Sequence, residues 1–194
     1  MSNEGTSLTS SVNSRPRRSI AGTAAIQIAA EYLSTDKAGQ GLMLGGISGV
    51  APAEVVVIGA GTVGEFATRA ALGVGASVKV FDKSIYRLRR LQSSMGQRIW
   101  TSIIQPDVLK QALLQADVAI GALRPEHGRT PLVVTEDMVG QMKTGSVIVD
   151  VSIDRGGSFE TSEQTSLSDP VFKKYGVVHY CVPNIASRVP RTAS

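Results

Sequence analysis

Val55-Val56-Val57-Ile58 is an unbroken β-branched run, the pattern of a strand buried on both faces. It leads directly into Gly59-Ala60-Gly61-Thr62-Val63-Gly64, with glycines in the spacing Gly-x-Gly-x-x-Gly. An alanine-rich stretch of helical spacing follows, from Val63 to about Val74. Val78-Lys79-Val80-Phe81-Asp82 then reads as a second strand ending in an acid. Strand, tight turn, helix and strand within so few residues require a parallel pair with a crossover helix, which restricts the fold more than any other feature of the chain.

Each glycine has a mechanical reason. Gly59 permits the strand-to-helix turn, Gly61 lets a ligand approach the backbone, and Gly64 lets helix and strand pack closely. Thr62 and Val63 open the helix, where free N–H groups and the helix dipole favour an anion such as a diphosphate. Asp82 follows at close to the roughly 20-residue spacing at which an acid reaches a ribose 2′-hydroxyl. Together these features point to a dinucleotide site. Asp82 favours NAD, because its carboxylate would repel the 2′-phosphate of NADP, although Lys83 and Arg87 offset that repulsion.

Beyond Asp82, strands and helices continue to alternate. Ile85, Leu88 and Leu91 mark a short helix, Arg98–Ile104 a weak third strand, and residues 107–115 another helix. Val118–Ala122 is a strand, Thr135 caps a helix, Ser146–Val151 is a strong buried strand, and Gly176–Val182 is a last one. Phe159–Tyr175 reads as polar and irregular. The alternation predicts an α/β, doubly wound parallel sheet, a Rossmann fold with about six strands in the order 3-2-1-4-5-6. With 20 glycines and only 5% aromatic residues, the composition suits this fold better than a β-sandwich.

Ahead of the first strand, residues 1–17 are rich in Ser, Asn and Thr and are expected to be a disordered head. Residues 18–50 comprise a helix over Ser19–Leu33, with Ser19 as N-cap, and a glycine-rich loop over Gly41–Gly49 read as a turn. Residues 51–194 form the dinucleotide-binding domain. The net charge of +4 comes from scattered cations without interleaved aromatics, which argues against nucleic acid. No 18-residue apolar run predicts a membrane span, and a single cysteine suits a reducing, cytoplasmic setting.

In open α/β sheets, ligands bind beyond the carboxyl ends of the strands. Four segments should meet there: Gly59–Gly64, Ala122-Leu123, Ile153-Asp154 and Pro183-Asn184. Asp154 is placed to handle protons beside a hydride-transfer centre, or else to cap a loop. Asn184 is a candidate hydrogen-bond donor to a ligand or an ordinary turn residue. His127 and His179 do not pair as metal ligands; His179 reads as a hydrogen-bonded structural residue and Cys181 as a small buried hydrophobe.

From about Ser19 onward the chain resembles the NAD-binding domain of the alanine dehydrogenase/transhydrogenase family. The matching runs are Leu44-Gly45-Gly46-Ile47-Ser48-Gly49-Val50, Val57–Gly64, Val147–Gly157 and His179-Tyr180-Cys181-Val182-Pro183-Asn184. The resemblance implies that Asp82 binds the adenosine ribose with Arg87 beside it, and that Leu123 and Ile153 line the cofactor groove. It also implies that Asp154 and Asn184 serve the catalytic, nicotinamide end. The implied reaction is oxidative deamination of L-alanine to pyruvate and ammonia with NAD, in a homo-oligomer. The Ile153-Asp154 loop favours alanine dehydrogenase over a transhydrogenase-like member.

Two departures from the family pattern shape the expectation. Ile104 stands where many members carry a polar residue near the adenosine. The family's N-terminal substrate domain, which supplies cationic groups to pyruvate, has no counterpart in these 194 residues. The chain is therefore expected to bind NAD but to oxidise alanine weakly, with apolar surface of the Ser19–Leu33 helix left open. The alternatives are a stand-alone NAD-binding module that pairs with a separate substrate domain, or a transhydrogenase-like protein.

Overall fold

The computed structural model describes residues 14–37, 39–125 and 128–193. Its centre is a seven-stranded sheet built from β1 (Glu54–Ile58), β2 (Ser77–Asp82), β3 (Trp100–Ile103), β4 (Val118–Gly121), β5 (Val147–Asp150), β6 (Val171–Lys174) and β7 (Val177–Tyr180). The order across the sheet is β3-β2-β1-β4-β5-β7-β6. All neighbours run parallel except β6, which pairs antiparallel with β7. The six parallel strands thus take the expected doubly wound order, and β6 is a seventh strand inside the stretch expected to be irregular. Its residues Val171-Phe172-Lys173-Lys174 carry no strong apolar alternation, because an edge strand is paired along one side only.

Helices cover both faces. On one lie α1 (Ser14–Tyr32), α2 (Thr62–Gly73) and α3 (Ile85–Ser94); on the other lie α4 (Pro106–Gln115) and the short α5 (Glu136–Gly140). Alternate strand residues divide accordingly. Val55, Val57, Val78 and Val80 pack with Ala67, Ala71, Leu88 and Leu91. Val56, Ile58 and Phe81 pack with Leu109, Leu113, Met138 and Val139. Burial on both sides explains why these strands read as apolar runs rather than alternations. Thr135 caps α5 as expected, accepting a hydrogen bond from the Met138 N–H at 3.3 Å.

The first helix differs from its expected form. It begins at Ser14, so residues 14–17 are helical and Ser19 lies within the helix rather than capping it. Pro16 sits in the first turn, where a missing N–H leaves no intrahelical bond unmade. The remainder of the head, residues 1–13, lies outside the described residues. Nor is the apolar face of α1 left open: Ala25, Ile26, Ile28, Ala29 and Tyr32 are buried with the β-sheet and α2. Gly22 makes the approach close enough, since a Cβ there would fall 2.2 Å from the Val63 carbonyl oxygen. Helix α1 is therefore packed backbone-to-backbone against the first turn of α2.

Candidate functional site

The turn between β1 and α2 is held by contacts that only glycine permits. Gly59 has φ +118°, and a Cβ on it would lie 2.4 Å from the Ala122 carbonyl oxygen. A Cβ on Gly64 would lie 1.7 Å from the Gly59 carbonyl oxygen. Gly61 is different. Its φ is −80°, and a Cβ there would meet nothing nearer than Arg124 Cγ and Cδ at 3.9 Å. The space over Gly61 is open to the cleft. The first intrahelical bond of α2 runs from the Glu65 N–H to the Gly61 carbonyl at 2.8 Å, so the N–H groups of Thr62 and Val63 precede it, and both residues line the cleft.

Asp82, at the end of β2, is 1% exposed. Its Oδ2 accepts from the Ala60 N–H at 2.7 Å and its Oδ1 from the Ser84 N–H at 2.8 Å. Arg87, one turn into α3, places Nη1 3.9 Å from Oδ2. The acid expected at a ribose thus also braces the glycine turn from behind. Buried and engaged with two backbone N–H groups, it does not itself line the cleft.

A cleft of about 480 Å³ opens beyond the carboxyl ends of the central strands. Gly61, Thr62, Val63, Leu123, Asp154 and Asn184, six of the residues singled out from sequence, line it together. Gly59 and Gly64 lie beneath it within the turn, and Asp82 and Arg87 lie behind the turn. Ile153 is 8% exposed and is absent from the cleft wall. Its Cδ1 faces Gly157 instead, 3.4 Å from where a Cβ would be.

The Asp154 loop is fixed from below. Asp150, fully buried at the end of β5, accepts from the Ser152 N–H at 3.0 Å, the Ser152 hydroxyl at 2.5 Å, the Ser158 N–H at 2.9 Å and the Ser162 hydroxyl at 2.7 Å. Burial pushes the Asp150 carboxyl up from its ordinary range, opposed by these four hydrogen bonds. Above this anchor the single helical turn Ile153–Arg155 presents Asp154 at the surface. Asn184 has φ 51°, a left-handed conformation that asparagine tolerates, and its N–H donates to Asp154 Oδ2 at 3.4 Å. Two residues far apart in sequence are thereby brought side by side.

The remaining titratable candidates are structural. His179 is buried in β7, with Nε2 2.8 Å from the Thr161 hydroxyl and Nδ1 3.0 Å from the Val177 carbonyl, and it stacks on Phe172. Nδ1 therefore carries the proton. Burial lowers the pKa of this imidazole. Burial also pushes the Cys181 thiol up to about 12. His127 lies outside the described residues. Among the described residues no group of three or more His, Cys, Asp or Glu side chains could hold a metal ion, and no helix is long and apolar enough to cross a membrane.

Sequence reasoning missed Arg17, Arg18 and Arg124, which complete the cleft wall. Arg17 fell at the end of the stretch read as a disordered head, and Arg18 opened the segment read as helix and loop without being given a role. Arg124 had a usable signal: it is a cation immediately after Leu123, at the carboxyl end of a central strand.

Comparison with known proteins shows which family shares this fold. Residues 25–194 match the family described as "Alanine dehydrogenase/PNT, C-terminal domain". Alanine dehydrogenase of Halomonas elongata is 46% identical over 179 residues, which are 92% of this chain and 48% of that protein. Alanine dehydrogenase of Mycolicibacterium smegmatis is 44% identical over the same shares. Among solved structures, an L-alanine dehydrogenase superposes with a TM-score of 0.89 at 41% identity, covering 92% of this chain and 50% of that one. A transhydrogenase from Sinorhizobium meliloti gives 0.75 at 27% identity, with 93% of this chain and 51% of that one covered. The chain spans about half the length of the curated relatives it matches.

Proposed function

The chain belongs to the alanine dehydrogenase/PNT C-terminal domain family, whose cofactor is NAD, and from that premise we propose that it is the cofactor-binding half of an NAD-dependent alanine dehydrogenase. The observation that carries this reading is the convergence of the α2 N-terminus, Asp154 and Asn184 on one cleft. The overall reaction would be L-alanine, NAD+ and water giving pyruvate, ammonium, NADH and a proton.

The residues present fit the dinucleotide. The missing Cβ of Gly61 leaves room above the helix N-terminus, and the Thr62 and Val63 N–H groups would hold the diphosphate there. Asp82 would take the adenosine ribose hydroxyls, with Arg87 alongside. Leu123 would form an apolar wall of the groove. When bound, NAD supplies the hydride acceptor. Asp154 and Asn184 line the same cleft, and Asp154 would take a proton from the reacting amine or from water. Asn184 would orient the nicotinamide amide or the substrate carboxylate.

Asp154 is exposed, and so is Asn184. A proton-transfer pair open to solvent lacks the exclusion of water and the fixed orientation that lower a barrier by several kcal/mol. We therefore expect these 194 residues to bind NAD and to oxidise alanine weakly unless a substrate-binding half covers the cleft.

Calorimetric titration with NAD+, NADH and NADP+, followed by an alanine-oxidation assay with and without the N-terminal half of an alanine dehydrogenase, tests the proposal. Saturable NAD binding, and activity that rises with the added half and is lost in Asp154→Asn, is the expected result. Failure to bind any of the three nucleotides would overturn it. Transhydrogenase likeness supports a second reading at lower identity; hydride exchange between NADH and an NADP+ analogue without alanine would favour that one.

A further inference from the structure

Four guanidinium groups gather around the glycine turn. Arg124 follows β4 and lays Cγ and Cδ over Gly61, 3.9 Å from where a Cβ would stand. Arg18, from the first turns of α1, lines the same cleft as Gly61, Thr62 and Val63. Arg90, from α3, donates from Nη2 to the Ala60 carbonyl at 3.3 Å, and Arg87 stands against Asp82. The four come from two helices, α1 and α3, and from the end of β4, three segments that are distant in sequence. Burial, together with Arg18, Arg87 and Arg90, lowers the pKa of Arg124 below the usual arginine range.

Like charges converging without a compensating anion are unfavourable, and Arg124 has no carboxylate partner among the described residues. Arg87 has Asp82, and Arg90 has a backbone carbonyl. Arg124 lies across the turn with no ion pair to a carboxylate among the described residues.

Resting on the dinucleotide reading above, we propose that Arg124 is a cationic strap that closes over the diphosphate, opposite the α2 N–H groups, with Arg18 completing the clamp. The diphosphate would then be held between backbone donors below and guanidinium donors above. Arginine suits that role because its planar fork of N–H groups matches phosphoryl oxygens two at a time. The adenosine and nicotinamide ends lie beyond the strap's reach, so the effect is confined to ligands that contain the diphosphate.

The test is calorimetric titration of the wild-type chain and of Arg124→Gln with NADH, ADP-ribose and adenosine, at 50 and 300 mM NaCl, with circular dichroism melts as a folding control. The strap predicts that Arg124→Gln binds NADH and ADP-ribose at least tenfold more weakly at low salt, with a shallower salt dependence, and leaves adenosine affinity and melting temperature unchanged. Arg124→Lys keeps the charge without the fork and should recover only part of the affinity. Wild-type-like NADH binding by Arg124→Gln overturns the strap alone. Equal weakening for adenosine also overturns it, because the effect would then be a general disturbance of the site. Absence of NADH binding by the wild-type chain overturns the dinucleotide reading itself.

Discussion

Replacing Gly61 and Gly64 separately by alanine should divide the glycine motif into a part the fold needs and a part the ligand needs. At Gly64 the new Cβ would stand 1.7 Å from the Gly59 carbonyl oxygen, a backbone atom of a strand end paired on both sides. Restoring an ordinary contact demands a shift of more than an ångström between α2 and β1. Overpacking of this kind costs about 1–3 kcal/mol, and a clash with fixed backbone belongs at the upper end. At Gly61 the φ of −80° is open to any residue and the nearest atoms are 3.9 Å away. Alanine there should leave folding unchanged or raise it by about 0.4–1 kcal/mol through the unfolded chain. Yet its methyl would stand where the diphosphate must approach the backbone, and NADH affinity should fall at least tenfold, about 1.4 kcal/mol or more. Urea denaturation gives the first quantity and NADH titration the second. A Gly64→Ala variant as stable as wild type, or a Gly61→Ala variant that binds NADH normally, would refute the reasoning at the corresponding position.

Three other outcomes follow from buried groups. Asp150→Ala removes the acceptor of two buried backbone N–H groups, at about 1–3 kcal/mol each. The variant should lose about 2–6 kcal/mol in urea denaturation, and protease should cut earliest in the 151–162 loop. His179 is neutral in the fold with a lowered pKa, so the unfolded chain takes up a proton first as pH falls below about 6.5, and stability drops in that direction. Between pH 7.5 and 5.5, wild type should therefore lose more stability than His179→Gln; an identical pH slope in both would contradict the assignment. Cys181, buried and with its thiol pushed up to about 12, should resist a thiol reagent at pH 8 in the native state and react at once in denaturant.

The legibility of this chain followed the range of the forces involved. Strands β1, β4 and β5 were readable because burial on both faces leaves a run of apolar residues that needs no partner to interpret. The Gly59–Gly64 turn was readable because backbone clashes act over a few neighbouring residues. The meeting of Asp154 and Asn184 was readable from topology, since both follow strands that end on the same edge. Strand β6 was not: its pairing with β7 is made by backbone groups, to which Val171-Phe172-Lys173-Lys174 contributes little side-chain pattern. The start of α1 at Ser14 was hidden for a related reason, because the helix is held by contacts of Gly22, Ala25 and Ile28 further along, and Ser-Arg-Pro-Arg-Arg looks unstructured on its own. That difference concealed Arg17. The inward turn of Ile153 towards Gly157 depends on side-chain packing that neighbouring residues do not specify.

The contact at Gly22 gives α1 a mechanical role. With the Val63 carbonyl seated where a side chain would otherwise be, the two helices cannot slide or roll past one another without opening backbone contacts. Helix α1 behaves as a shaft keyed to the first turn of α2. The start of α1, which carries Arg17 and Arg18 into the cleft wall, is thereby held in register with the first turn of α2.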